Sequence, residues 1–289
     1  MARLSGARSV RRRTGRSRTR RFRPSSLWSD ARLQRRWQRA YRRASVAVKM
    51  IVGVALALML ALLINWIYQV ICKPSELLFP VSGTLYKTPP ETWRQYGPIF
   101  RKFATRVITP DLLAAIAQIE GSGNPVARTY WRWSWTYHPL QIYRPASSAV
   151  GMYQITDSTF AEARHYCIRH HKVVMEGVWN DWHACWFNGL YSRLIPAHAA
   201  ELTSAYLDRS VSAILARHHM SGATAQREQE LAAMIHLCGA GAADEYVRRG
   251  FRFTHDQHCG DQEAHEYVAK VTNMKVTFDR LAVLQNDQH

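Results

Sequence analysis

Acidic side chains are almost missing from the first 49 residues of this 289-residue chain, where Asp30 stands alone against seventeen lysines and arginines. Most of the formal charge of +18 therefore sits in one arm, and the remainder, with 22 basic and 20 acidic side chains, is close to neutral. That distribution argues against a protein that coats nucleic acid with its whole surface. Charge of either sign is missing altogether between Met50 and Cys72. No small-residue cleavage pattern of the A-x-A kind follows that uncharged run, which argues against a removed signal peptide. Cysteine is scarce, five in all, and no internal repeat is evident. What is present is 47% apolar residues, enough for a sizeable core.

The uncharged run, MIVGVALALMLALLINWIYQVIC, has only Asn65 and Gln69 as clearly polar side chains. At ~1.5 Å per residue it can cross a ~30 Å hydrocarbon core, so the sequence predicts one uncleaved transmembrane helix over 50–72. Trp66 and Tyr68 suit an interfacial belt near its far end. The basic arm, residues 1–49, precedes the span directly and only Lys73 directly follows it, so the positive-inside rule places the arm in the cytoplasm and the rest of the chain outside. The arm reads first as a topology signal and a tether to anionic lipid, with docking to a cytoplasmic partner and nucleic-acid contact as lesser readings. Arg20 and Arg21 stand too far from the apolar run for a twin-arginine export signal.

Cys167, Cys185, Cys238 and Cys259 all fall in the outside part, an even number suited to an oxidising compartment, with Cys72 at the membrane end. Short loops favour Cys167 with Cys185 and Cys238 with Cys259, and the other pairings remain open. His165, Cys167, His170 and His171 are crowded together but match no standard zinc spacing, so no metal and no cofactor is expected.

Prolines 74, 80, 89 and 90 make 73–90 read as an extended linker. A helix is expected from Glu91 to Thr105. A second has clear start signals in Thr109 as N-cap, Pro110 at the first position and Asp111 in the first turn, followed by LLAAIAQIE. Leu113, Ile116, Ala117 and Glu120 share one face by their spacing. A carboxylate on an apolar face is costly to ionise, and holding a proton at neutral pH is what a general acid must do. By periodicity alone, Glu120 is equally a frayed helix end before Gly121.

The surrounding text decides between these. EGSGNP at Glu120 to Pro125 and AVGMYQITDSTF at Ala149 to Phe160 resemble the soluble lytic transglycosylase family of the lysozyme-like superfamily. That family carries E-S-x-x-N-P, then G-L-M-Q-I-x-x-x-T, then A-Y-N-A-G, then E-T-x-x-Y-V. Glu120, Asn124 and Pro125 fit the first motif, with Gly121 in the usual Ser place and Ser122 displaced by one. Gly151, Gln154, Ile155 and Thr159 fit the second, with Met152 and Tyr153 between. IHLCGAG at Ile235 to Gly241 keeps the glycines of the third, but Leu237 stands where the family has Asn. EAHEYV at Glu263 to Val268 fits the fourth and brings in Tyr267.

The resemblance implies a mainly α, lysozyme-like domain over 91–286, with insertions at about 126–148 and 164–200, behind a single N-terminal transmembrane helix. It implies a bacterial inner-membrane protein whose periplasmic domain cleaves the MurNAc-β-1,4-GlcNAc bond of peptidoglycan strands and leaves 1,6-anhydroMurNAc. Glu120 would be the catalytic acid and then base, with Ser122, Met152, Tyr153, Gln154 and Tyr267 around the substrate. Of these, Gln154 would hold the acetamido group, Tyr153 would offer a ring to the sugar, and Tyr267 would orient Glu120.

In the first insertion, Trp131, Trp133 and Trp135 alternate with other residues as in a short strand, which would put three indoles on one side, either as a cleft wall or as a packing or docking face. The second insertion carries the Cys167 to Cys185 loop with Trp179, Trp182 and Trp186. Helical patterns resume at about 200–218 and 224–237. Of the nearby acids, Asp111 stands more than ~13 Å from Glu120 along the helix, so Asp157 is the candidate second carboxylate that a goose-type-lysozyme-like hydrolase would require. A non-catalytic peptidoglycan-binding scaffold is the rival from another class. The arm and the insertions suggest service to a secretion or conjugation apparatus.

Overall fold

The computed structural model describes Trp37, Arg39 and residues 41–175, 185–220 and 222–286. Most of the basic arm, and Trp179 and Trp182 of the second insertion, lie outside the described residues. The chain is mainly helical, with 63% helix and 9% strand, and divides into two compact units, 1–61 and 62–289. Helix α1 (Val46–Cys72) contains the whole uncharged run and is long and apolar enough to cross a membrane.

In the larger unit, α3 (Pro89–Lys102) follows a short turn of helix, α2 (Phe79–Ser82). Thr88 and Glu91 form a capping box at the start of α3, the Thr88 backbone N–H donating to Glu91 Oε2 at 2.8 Å. Helix α4 (Pro110–Gly121) begins where Thr109 and Pro110 predict. The Thr109 hydroxyl, however, accepts from Gln229 Nε2 at 3.2 Å instead of capping the helix. Leu112 through Ala117 are all buried, so α4 is the central helix, and it packs chiefly against α8 (Ala264–Asn286) and α3. Each buried leucine or isoleucine there contributes roughly 1.5–3 kcal/mol. Its alanines let the neighbouring helices approach closely. Helices α5 (Asp157–Ala163), α6 (Pro196–Arg217) and α7 (Ala225–Arg248) close the core, with α6 packed on α7 and α7 on α8.

The strands form three two-stranded antiparallel hairpins: β1 (Trp131–Trp133) with β2 (Tyr143–Pro145), β3 (Tyr166–Arg169) with β4 (Lys172–Met175), and β5 (His258–Cys259) with β6 (Gln262–Glu263). Disulfides join Cys167 to Cys185 and Cys238 to Cys259, with Cα atoms 5.5 and 5.2 Å apart. The first ties β3 to the chain entering the 3-10 helix Trp186–Leu190. The buried Glu201 carboxylate of α6 fixes this lobe by accepting from the Ile168 backbone N–H at 3.0 Å and the Tyr191 hydroxyl at 2.8 Å.

The extended linker expected over 73–90 is not what forms. Residues Pro74–Leu78 make a 3-10 turn that leads straight into α2. The physical reason is Glu76, which is fully buried and meets Arg128 Nη1 at 3.0 Å, Lys73 Nζ at 3.5 Å and Trp131 Nε1 at 2.9 Å. A carboxylate with that set of donors holds the turn against the body of the unit more strongly than its prolines favour extension. Asn124 adds a second tie, its Nδ2 donating to the Ser82 carbonyl at 2.6 Å.

Candidate active site

Glu120 sits in the last turn of α4, with 13% of its side chain exposed. The helix ends because Ser122 turns into the left-handed region (φ 48°, ψ 43°), its N–H reaching back to the Ala117 and Gln118 carbonyls. Immediately after Glu120 the helix touches another backbone. A Cβ on Gly121 would stand 2.9 Å from Met152 Cα and 3.0 Å from the Met152 oxygen. Glycine at 121 is therefore a close-approach requirement that seats Glu120 beside the 151–154 turn. Asn124 is completely buried, and its Oδ1 accepts from the Val126 N–H at 2.9 Å, so it clamps the loop and has no free face for a ligand.

Two side chains from distant helices reach the same oxygen of Glu120. Tyr267, on α8 and fully buried, donates its hydroxyl to Oε1 at 2.6 Å. Burial first, and then the Glu120 carboxylate, push the Tyr267 phenol well above its ordinary value of 10.0, so it stays a donor. His236, on α7, places Nε2 3.5 Å from Oε1. Burial pulls its imidazole below the usual 6.5, against the opposing pull of Glu120 and a hydrogen bond with the Tyr153 backbone. At neutral pH His236 is thus uncharged, and Glu120 faces two neutral partners.

His236 also lines a cleft of about 290 Å³, together with Gln154, Thr159, Tyr206 and Leu237. Glu120 does not itself line this cleft; its carboxyl lies next to the wall, reached through His236. No acidic side chain belongs to that wall among the described residues. Gln154 adopts φ 46° and spends both donors on backbone carbonyls, Ala127 at 3.1 Å and Gly151 at 2.9 Å. Its amide is therefore anchored as a donor, which leaves the side-chain oxygen as the group available to accept.

Several expected contacts are corrected. Met152 and Tyr153 are completely buried, so Tyr153 has no ring face to offer a sugar. The cause is the turn itself: Gly151 (φ 80°) and Gln154 (φ 46°) reverse the chain, which tucks the two residues between them into the core. Trp131 and Trp133 do share a face, both against Tyr143 with ring centroids 5.1 and 4.7 Å away, but Trp135 lies beyond β1 and is fully exposed. None of the three lines the 290 Å³ cleft. Asp157 pairs with Arg193 at 2.7 Å and lines a separate cavity of about 390 Å³ beside Lys73. Asp111 pairs with Lys275 at 3.5 Å at the far end of α4. Cys167 is joined to Cys185 in a disulfide.

His236 was not among the expected site residues. The available signal is its position directly before Leu237 in the IHLCGAG segment, where α7 breaks at Gly239 (φ 78°, ψ 168°) and Cys238 is tied to Cys259. No family model, no curated protein and no solved structure matches this chain.

Proposed function

We propose that the chain is a membrane-anchored peptidoglycan lytic transglycosylase with a lysozyme-like domain. The observation that carries this reading is the single carboxyl of Glu120, held at one oxygen by Tyr267 and flanked by a neutral His236, beside a cleft with no second acid. Hydrolysis by ordinary glycosidases needs two carboxyl groups across the bond, whereas one suffices when the substrate supplies the rest. Protonated Glu120 gives its proton to the glycosidic oxygen as the C1–O bond breaks. The N-acetyl carbonyl of the muramic acid stabilises the developing positive charge at C1. The resulting Glu120 carboxylate takes the proton of that sugar's 6-hydroxyl, whose oxygen bonds to C1 and closes the 1,6-anhydro ring. Water is not consumed, and Glu120 ends protonated, as it began. The Gln154 oxygen would accept from the acetamido N–H.

The basic arm, α1 and the two disulfides support placing this domain on the periplasmic side of a bacterial inner membrane, with residues 1–49 in the cytoplasm. The glycan strand is the partner, and service to a secretion or conjugation machine fits the arm and inserted lobes. The test is mass spectrometry of purified sacculi digested by the detergent-solubilised full chain and by Glu120→Gln. Products ending in 1,6-anhydromuramic acid, absent with the variant, are expected. Reducing-end products would replace this reading with hydrolysis, and sacculus binding without products from folded protein would replace it with a glycan-binding scaffold.

A further inference from the structure

Asn65 and Gln69 are the clearly polar side chains of the uncharged run, and a polar amide facing lipid is costly. Neither faces outward: they are 7% and 6% exposed. Asn65 Nδ2 donates to the Tyr143 carbonyl and Gln69 Nε2 to the Leu140 carbonyl, each at 2.7 Å. Both acceptors belong to the β1–β2 hairpin. The hairpin is thus bolted to the flank of α1 some 5–10 Å of helix before Cys72, by the ~1.5 Å rise per residue. In a helix that spans a bilayer with Cys72 near one surface, Gln69 falls at the edge of the hydrocarbon and Asn65 about one turn deeper.

The hairpin's free surface has the chemistry of that zone. Trp133 is 70% exposed, and Trp135 and Tyr137 are fully exposed. Trp and Tyr concentrate at membrane interfaces because the ring is apolar and the N–H or O–H is not. On the other face, Arg132 stands directly opposite Arg144, a like-charge pair that weakens a hairpin in water and is relieved by anions. Arg144 lines the 390 Å³ cavity with Lys73 and Arg193, whose charges are already met by Glu76 and Asp157.

We propose that the β1–β2 hairpin is a second membrane contact, seated in the headgroup layer of an anionic bilayer beside α1, with Trp133, Trp135 and Tyr137 as its interfacial anchors. The inference rests on the reading that α1 crosses a bilayer. It assigns the Trp-rich insertion to lipid and not to the glycan.

The full chain, labelled with 5-fluorotryptophan, in nanodiscs of phosphatidylethanolamine and phosphatidylglycerol tests it by fluorine NMR. Resonances of Trp66, Trp133 and Trp135 are assigned by the peak lost in each single Trp→Phe variant. Lipid spin-labelled near its headgroup should broaden all three, while a water-soluble gadolinium chelate should leave them sharp. Broadening of Trp133 and Trp135 by the chelate, with Trp66 still protected, would overturn the hairpin proposal and leave the span intact. Chelate broadening of all three would overturn the spanning reading and this proposal with it. In discs of phosphatidylcholine alone the chelate should reach Trp133 and Trp135 more readily; equal protection would remove the anionic requirement.

Discussion

Glu76 and Glu120 are both withdrawn from water, but the groups set around them are opposite in kind. Glu76 is completely buried against Lys73, Arg128 and the Trp131 N–H. Glu120 retains some exposure and meets a tyrosine hydroxyl and an uncharged imidazole. Two cations and an indole N–H set around a buried carboxylate hold it in place, which suits a structural tie. A tyrosine hydroxyl orients a carboxyl without placing a fixed charge against it, which suits the acid and base proposed for Glu120. Burial alone does not separate a brace from a reagent; the charge of the neighbours does.

The sharpest way to break that contrast is to make both carboxylates amides. Glu120→Gln is expected to reduce cleavage of sacculi by at least about 10²–10⁴-fold, with unfolding free energy changed by no more than about 1 kcal/mol. Glu76→Gln should do the reverse, destabilising the fold by about 3–5 kcal/mol in denaturant unfolding because two cations lose the charge between them, while activity per folded molecule is retained. Equal losses of stability in the two variants would erase the distinction.

A smaller effect is expected from Tyr267→Phe, which removes one hydrogen bond to the Glu120 carboxyl. Bonds to charged groups contribute about 1.5–3 kcal/mol, so kcat should fall about 10- to 100-fold with KM little changed. The smallest effect is the pH dependence of stability due to His236. Its folded value lies below the ordinary 6.5, so as pH falls through that value the unfolded chain takes up a proton that the folded one refuses. Stability from this residue is therefore complete above 6.5 and declines below it, with a limiting slope of about 1.4 kcal/mol per pH unit. Thermal unfolding of the wild type and His236→Gln between pH 5 and 8 should show the acid decline weakened in the variant.

What the sequence made legible was local. Thr109, Pro110 and the apolar spacing of LLAAIAQIE located α4 and put Glu120 on its apolar face, because capping and periodicity act within a few residues. The cysteine spacings favoured the pairs that form. The misreadings came from contacts made over long separations. Pro74, Pro80 and Pro89 suggested extension, yet Glu76 meets Arg128 far along the chain and folds the segment down. Thr88 and Glu91 already marked a helix start at Pro89. Tyr153 was expected to offer its ring from its place beside Gln154, and the two positive-φ residues around it turn it inward. His236 could be placed beside Glu120 only once α7 and α4 were packed in one core.

Gly121 leaves no room at the tip of α4 for a side chain. Its hydrogen occupies the room in which a hydroxymethyl group would have to fit, with the Met152 backbone as the opposing wall. Placing serine there would force that backbone to move. The helix tip and the 151–154 turn are packed so closely that a side chain added at one must be met by a shift of the other, or the carboxyl beside them loses its seat.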